Sequence, residues 1–197
     1  MTQNILPAPN LALVAIGGNL PSSAGPPVAT IRAAIGQLVS LSGVSLYSLS
    51  RFWQTPAFPA GSGPNYVNAA LALQTEISAA SLLSALHAVE ADFGRRREGA
   101  RWQARGIDLD LIAYGDLVLP DERTHDHWRG LPPERQSEHA PPELILPHPR
   151  LQDRGFVLAP LAEIAPGWVH PRLGRSASQL LAALPAGAMA GIRPLTA

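Results

Sequence analysis

The order of strand and helix patterns in the first 114 residues is the feature that most constrains the fold. Residues 11–16 are an uninterrupted apolar run, typical of a strand buried on both faces. Apolar residues recur at helical spacing after Pro26-Pro27 and again over 78–93, and residues 44–53, 66–75 and 106–114 alternate as strands do. This βαββαβ order predicts a mixed α/β (α+β) fold, a ferredoxin-like sandwich.

The last third of the chain carries weaker patterns. Residues 120–143 are polar and proline-rich with no period, which predicts a flexible surface insertion. Two short helices are predicted after it, at 155–165 and 176–184, and we find no internal repeat. We therefore expect residues 1–197 to form a single domain with extra C-terminal helices.

Composition excludes several chemistries. All 15 basic residues are arginine, so neither the lysine of a Walker phosphate loop nor a Schiff-base lysine is available. With no cysteine, disulfides, thiolate metal sites and cysteine nucleophiles are excluded. The 15 acidic residues bring the net charge to zero, which argues against a non-specific nucleic-acid binder. Neither a signal peptide nor a membrane span is evident, so we expect a cytoplasmic protein.

The strand GIDLDLIAYG carries two carboxylates with a spacing that favours metal binding. The period of a strand places Asp108 and Asp110 on one face, with Cα atoms about 6.6–7 Å apart, while Leu109 points into the core. Adjacent carboxylates repel unless a cation lies between them, and hard cations prefer oxygen ligands. The alternative is a pair of solvated carboxylates, or a pair neutralised by arginine.

Five of the fifteen arginines lie between 95 and 105, in the loop that leads into this strand. The planar guanidinium suits bidentate recognition of phosphate and keeps its charge. Metal-binding carboxylates beside an arginine loop therefore indicate phosphoryl transfer without a phosphate loop. The alternative is a solvated charge run at a helix C-terminus, where the helix dipole favours cations.

Aromatic, amide and histidine side chains supply further candidates. Tyr66 and Asn68 share one strand face, so a flat ring could stack on the tyrosine while the amide binds its edge. Trp102 and Phe156 are further stacking candidates, although each alone is more often a core residue. His148, in the motif PHPR, could donate to a phosphate. His125 and His127 form an HxH pair with no second ligand cluster nearby, which does not favour a metal site.

Taken together, these residues match a known family. The matching segments, in order, are AIGGNL, QTPAF, PNYVNAAL, FGRRREGARWQARGIDLDLIAYG and ILPHPRLQDRGFVLAPLAEIAP, which cover most of residues 11–170. The chain resembles the 6-hydroxymethyl-7,8-dihydropterin pyrophosphokinases of folate biosynthesis, and the stretch RWxxRxxDLDLI is that family's most specific signature. The family's ferredoxin-like sandwich agrees with the order of elements above.

The resemblance implies that pyrophosphate passes from ATP to the hydroxymethyl group of the pterin, with release of AMP. It implies two Mg²⁺ ions on Asp108 and Asp110 and a pterin site of Thr55, Pro56, Tyr66, Asn68, Trp102 and Phe156. It implies catalytic arginines Arg95, Arg97 and Arg105, and nucleotide contacts by Glu90, Leu111, His148 and Arg154. The sequence departs from the family's pattern at Glu98, Gln103, Ala104 and Pro149, which bear on the detailed ATP contacts.

Two alternatives stay open from the residues alone. A DxD pair also occurs in metal-dependent nucleotidyl- and glycosyltransferases, which would need a nucleotide-sugar site. A ferredoxin-like nucleic-acid-binding module could stack bases on Tyr66 and Phe156, although Asp108 and Asp110 would repel phosphates unless metal-bound. On the pyrophosphokinase reading the partners are small molecules only, with no nucleic acid and no membrane, and the chain acts as a monomer.

Overall fold

The strand and helix order predicted for the first 114 residues is present, with one strand divided in two. The computed structural model describes residues 9–57, 63–95, 106–132, 135 and 140–196. Its strands are β1 (Asn10–Gly18), β2 (Val44–Leu49), β3 (Trp53–Thr55), β4 (Tyr66–Thr75), β5 (Asp108–Tyr114) and β6 (Arg193–Pro194). Its helices are α1 (Pro27–Val39), α2 (Ala79–Asp92), α3 (Glu122–Gly130), α4 (Gly155–Ile164) and α5 (Ala177–Ala182), with a 3-10 turn at Leu151–Asp153.

The strands form one antiparallel sheet in the order β5-β1-β4-β3-β6, with β2 also paired to β4. β2 lies along residues 71–75 of β4 and β3 along residues 66–68, so the two occupy one position in the sheet. The core thus has the mixed α/β arrangement expected from the sequence, with β1 and β4 at its centre.

The continuous strand predicted over 44–53 is wrong, because the chain leaves the β4 ladder after Leu49. The register already shifts between Leu46 and Ser48. Ser50 then replaces regular pairing: its N–H donates to the Ala70 carbonyl (3.0 Å), and its hydroxyl accepts the Ala70 N–H (2.9 Å). A side-chain oxygen thus serves where a backbone carbonyl would, and period-2 alternation alone does not reveal such an exchange.

Helices cover both faces of the sheet. Along β4, Leu71 and Leu73 point into a core shared with α1 and α2, whereas Ala70 and Ala72 point into a second core shared with α4 and α5. All four side chains are buried, which explains the near-continuous apolar sequence of this strand. The predicted C-terminal helices are confirmed, and they form the second layer over the sheet.

The segment predicted as an irregular insertion, 120–143, contains a helix. α3 begins after Asp121, whose side chain accepts the Thr124 N–H (2.9 Å), and His125 is its one fully buried residue. A nine-residue helix held by one buried histidine shows no apolar period, so the pattern analysis missed it. Flexibility of the segment stays a prediction, and residues 133–134 and 136–139 lie outside the described ranges.

No helix in the described part of the chain is both long enough and apolar enough to cross a membrane.

Candidate active site

The register of the three central strands brings an amide and a carboxylate into one row. Asn68 on β4 and Asp108 on β5 both pair with Gly17 of β1, from opposite sides. Directly paired residues share a face of the sheet, and each strand spacing is about 4.8 Å, so the row spans about 10 Å. Asp110 lies one position further along the same face, opposite Ala15. The prediction that both aspartates leave the Leu109 core face is confirmed, since Leu109 is buried with α1 and α2.

Gly17 is required by the position of the Asn68 side chain. A Cβ built on Gly17 would stand 2.2 Å from Asn68 Oδ1, far inside van der Waals contact. Asn68 is 9% exposed, and its Nδ2 donates to Thr55 Oγ1 over 2.8 Å. The Thr55 hydroxyl therefore fixes the direction of the amide, and the bare glycine backbone makes room for it.

The remaining predicted pterin residues that the structure describes lie on or next to β3 and β4, or on the helix that covers this face. Tyr66 pairs with Thr55 across the sheet and is half-buried. Pro56 is exposed and packs against Gly191, where a Cβ would stand 2.6 Å from the proline Cγ. Phe156, partly buried, is the second residue of α4, the helix that covers the face on which Asn68 and Asp108 lie.

Asp108 is joined to the end of α2 through Arg95. The Arg95 guanidinium donates to both Asp108 and Glu90, and Glu90 Oε1 also accepts the Leu109 N–H (2.7 Å). Burial lowers the pKa of Arg95, but the Asp108 and Glu90 carboxylates outweigh it and raise that pKa above its ordinary value. Arg95 is thus a permanent cation beside Asp108. Glu90 is 1% exposed, so it acts on the site through Arg95 and the β5 backbone rather than at its surface.

A second arginine stands beside Asp110. Arg154 Nη1 lies 3.7 Å from Asp110 Oδ2, and the guanidinium carbon lies 5.7 Å from the centre of the Phe156 ring, within cation–π range. Each carboxylate of the DLD motif therefore has an arginine partner in this conformation. This neutralisation is the alternative left open for the pair, and it is compatible with metal binding, because a carboxylate can exchange one cation for another.

His148 is held at the outer edge of β5 as a neutral donor. Its N–H donates to the Ile112 carbonyl (2.8 Å), and its Nδ1 accepts the Arg150 N–H (3.1 Å). Burial, together with the charges of Arg154 and Arg150, lowers the pKa of His148 to about 3. The neutral ring therefore carries its proton on Nε2, which makes that nitrogen a hydrogen-bond donor.

Other predicted residues are placed differently or not described. The Leu111 side chain is 3% exposed and packs in the core with α1 and α2, and a nucleotide contact by this residue stays a prediction. The predicted catalytic and pterin residues Arg97, Trp102 and Arg105 lie outside the described residues, as do the departures Glu98, Gln103 and Ala104. No local sequence pattern marks Gly17, because its place opposite Asn68 and Asp108 appears only in the strand register.

The aspartate pair fits a hard divalent cation in part. Among the described residues no group of three or more His, Cys, Asp or Glu side chains is placed to hold a metal ion. Asp108 and Asp110 nevertheless present carboxylate oxygens on one face, which is the ligand type of Mg²⁺. Mg²⁺ usually takes one or two carboxylates and completes its sphere with water and substrate phosphates, so two protein ligands suffice.

Known proteins are similar to this chain in sequence and in fold. The model of the family described as 7,8-dihydro-6-hydroxymethylpterin-pyrophosphokinase matches residues 13–166. A relative named 2-amino-4-hydroxy-6-hydroxymethyldihydropteridine pyrophosphokinase from Synechocystis sp. is 37% identical over 170 residues, or 86% of this chain and 74% of the relative. Relatives with the same name from Haemophilus influenzae (32% identical, 81% and 84% covered) and Pseudomonas aeruginosa (33%, 87% and 90%) are similar.

Among solved structures, wild-type Plasmodium falciparum HPPK-DHPS matches with a TM-score of 0.58 at 13% identity, over 88% of this chain and 44% of that chain. The same protein with SDX-DHP matches with a TM-score of 0.61 at 12% identity, over 94% and 47%. This chain thus spans less than half of those longer proteins, and the likeness is one of fold. The family model and the relatives together show that the chain belongs to the 7,8-dihydro-6-hydroxymethylpterin-pyrophosphokinase family and is an enzyme of the pyrophosphokinase class.

Proposed function

We propose that this enzyme transfers pyrophosphate from ATP to the hydroxymethyl oxygen of 6-hydroxymethyl-7,8-dihydropterin on the sheet face that carries Asn68, Gly17 and Asp108. The row formed by these three residues is the observation that carries the proposal. It places an oriented amide, suited to the edge of a flat ring, about 10 Å from a carboxylate suited to the metal of a triphosphate. The acceptor and donor substrates can therefore meet between β4 and β5.

We assign the pterin to the Asn68 end of the row. Because Thr55 Oγ1 accepts from Asn68 Nδ2, the amide presents a fixed donor and acceptor pattern to a ring edge. Tyr66, opposite Thr55, and Phe156, on α4, supply aromatic surfaces for stacking, worth about 1–3 kcal/mol for each ring. Pro56 lies exposed beside this site, and Trp102 is proposed to cover it.

We assign the triphosphate to the aspartate end. Asp108 and Asp110 would hold two Mg²⁺ ions, which when bound neutralise phosphate charge and align the transferring group. Arg95 and Arg154, which pair with these carboxylates, would be available to bind phosphate oxygens if the carboxylates held metal. His148 Nε2 supplies a neutral donor, and Arg97 and Arg105 are proposed to bring further positive charge.

The step itself needs little covalent help from the protein. The pterin hydroxyl oxygen forms a bond to the β-phosphorus of ATP, the bond from that phosphorus to the α–β bridging oxygen breaks, and AMP leaves while the hydroxyl proton passes to solvent. In-line positioning and electrostatic stabilisation supply most of the catalysis in such transfers. The chain supplies these through the fixed amide, the aspartates and the arginines.

We further propose that the enzyme acts as a monomer in the cytoplasm, with these small molecules as its partners and with neither nucleic acid nor membrane. All residues assigned above belong to one chain, so a second copy is not needed to complete the site. The zero net charge and the acidic pair on the site face also do not favour an RNA-binding role.

The test is AMP release from ATP, measured by chromatography with and without the hydroxymethyl dihydropterin and with and without Mg²⁺. We expect AMP only when pterin and metal are both present, in equal amount to pterin diphosphate. If ATP is consumed equally without the pterin, the substrate assignment is wrong. If the chain binds RNA in a salt-dependent manner and does not turn over ATP, the nucleic-acid alternative replaces it.

A further inference from the structure

We propose that His125, on α3, is a positioning residue for ATP: it holds the Pro147 carbonyl and so fixes the place of His148. This inference rests on the proposed function, since it takes His148 as a nucleotide contact. It gives a role to the helix that interrupts the chain between β5 and the PHPR motif.

The contact between His125 and Pro147 is buried and directional. His125 is 0% exposed, and its Nε2 lies 3.0 Å from the Pro147 carbonyl oxygen. A carbonyl oxygen only accepts, so Nε2 carries a proton and donates. A buried bond of this kind restrains the peptide that joins Pro147 to His148, because that carbonyl and the His148 N–H belong to the same peptide plane.

Backbone bonds also restrain this segment, in addition to the bond from the Arg150 N–H to His148 Nδ1. Leu119 and Leu146 exchange both of their N–H···O bonds (2.8 and 3.2 Å), and the His148 N–H donates to Ile112 (2.8 Å). Pro147 lies between these two anchors and has no N–H of its own. The His125 side chain thus holds the carbonyl side of the Pro147–His148 peptide, whereas the Ile112 carbonyl holds its N–H side.

α3 is itself held by residues 170–172, through two ion pairs and a ring contact. Arg172 pairs with Asp126 (2.6 Å) and Glu122 (2.5 Å), and both acids belong to α3. The ring of His170 packs edge-on against His125, with centroids 5.7 Å apart. A support that is packed on one side and hydrogen-bonded on the other can transmit a fixed position to His148.

Two substitutions of His125 by side chains of comparable size test this role. Glutamine places an N–H near the position of His Nε2, whereas leucine fills the site without a donor. We expect His125→Leu to raise the KM for ATP three- to tenfold, with kcat and the KM for pterin within twofold of wild type. His125→Gln should restore the KM for ATP to within twofold. His127→Leu, on the exposed side of the same helix, is the control and should match wild type.

A double-variant cycle identifies the residue through which His125 acts. In a His148→Ala background, His125→Leu should no longer change the KM for ATP, because the positioned side chain is gone. An equal fold-change in both backgrounds, or no change in the wild-type background, overturns the proposal. So does a rise of the pterin KM equal to that of ATP, which would show general loosening of the fold.

A second readout separates this inference from the proposed function. The ring resonances of His148 in a heteronuclear spectrum of the ligand-free protein should shift in His125→Leu and return in His125→Gln. This holds whether or not the protein turns over ATP. If wild type lacks turnover, the proposed function fails and, with it, the link to ATP. Unmoved His148 signals in an active enzyme overturn the positioning role alone.

Discussion

The amide oxygen of Asn68 lies over the backbone of Gly17, where a Cβ on residue 17 would stand 2.2 Å from it. The Thr55 hydroxyl holds the other end of the amide at 2.8 Å. Neither β4 nor the amide can retreat, because Asn68 is nearly buried and pairs on both sides, with β1 and β3. The glycine on β1 is thus a condition for the orientation of the Asn68 amide, which lies two strands away from Asp108.

Gly17→Ala should therefore disable pterin recognition. The new methyl forces the Asn68 amide to turn away, and overpacking of this kind costs about 1–3 kcal/mol of stability. We expect the KM for pterin to rise at least tenfold in steady-state assays, with a smaller change for ATP.

Gly36→Ala is the matched control. Gly36 lies exposed within α1, and a Cβ there meets no atom within 4 Å. Replacing an exposed helical glycine by alanine stabilises the helix by about 0.5–1 kcal/mol. The midpoint temperature of thermal unfolding should therefore rise slightly, and the KM values for pterin and ATP should stay unchanged. Normal pterin affinity in Gly17→Ala would mean that the pterin does not bind to this amide.

Asp110→Ala should abolish turnover while the protein stays folded. The Asp110 side chain is partly exposed, and its arginine partner stands at 3.7 Å, so little stability depends on the pair. If the carboxylate holds metal on the triphosphate, its loss removes one of the two carboxylate ligands. AMP release and circular dichroism measure the two effects, and substantial activity at saturating Mg²⁺ would contradict the metal role.

Glu90→Gln should increase the Mg²⁺ concentration needed for activity. Glu90 and Asp108 share the Arg95 guanidinium, so loss of one charge strengthens the hold of Arg95 on the other. Arg95 then competes more effectively with the metal for Asp108. The glutamine oxygen can still accept the Leu109 N–H, so the backbone contact is kept. A Mg²⁺ titration of activity checks this, and an unchanged midpoint would show that Arg95 does not compete for the metal's carboxylate.

Most of the fold, and the shared face of the two aspartates, follow from local sequence patterns. The alternation along 66–75 predicts β4 at its observed bounds, and the spacing of Asp108 and Asp110 predicts their shared face. Long-range partnerships cannot be predicted in this way. The place of Gly17 between Asn68 and Asp108 depends on strand register, and that of Glu90 depends on how α2 meets β5.

His125 is a further residue whose long-range contact cannot be predicted from the local sequence. An HxH motif is a pattern found in metal sites, whereas the hydrogen-bond partner of His125 is a carbonyl 22 residues away in the chain. Nothing in the pattern of a polar, proline-rich segment distinguishes the one histidine that becomes buried from the neighbour that stays exposed. The structure makes that distinction because the packing of α3 against residues 170–172 selects one side of the helix.

Acid should destabilise the protein through its buried histidines, of which His170 is the clearest. Its pKa is lowered to about 4 by burial, with the neighbouring His125 and two arginines adding to the effect. In the unfolded chain the ordinary value of 6.5 applies, so between pH 6.5 and 4 the unfolded state binds the proton and the folded state does not. The contribution of each such histidine to the unfolding free energy is therefore complete above pH 6.5. Below that pH the unfolding free energy falls, by up to about 1.4 kcal/mol per pH unit for each histidine. Urea unfolding at pH 7.5, 6.0 and 5.0 measures this slope.

His170→Asn keeps an acceptor for the Arg172 N–H, which His170 Nδ1 binds at 3.1 Å. It removes the titrating group, so the dependence of its unfolding free energy on pH should be weaker. His127→Asn should keep the wild-type slope, because His127 is exposed. Equal slopes in His170→Asn and wild type would show that His170 takes up its proton in the folded protein as readily as in the unfolded chain.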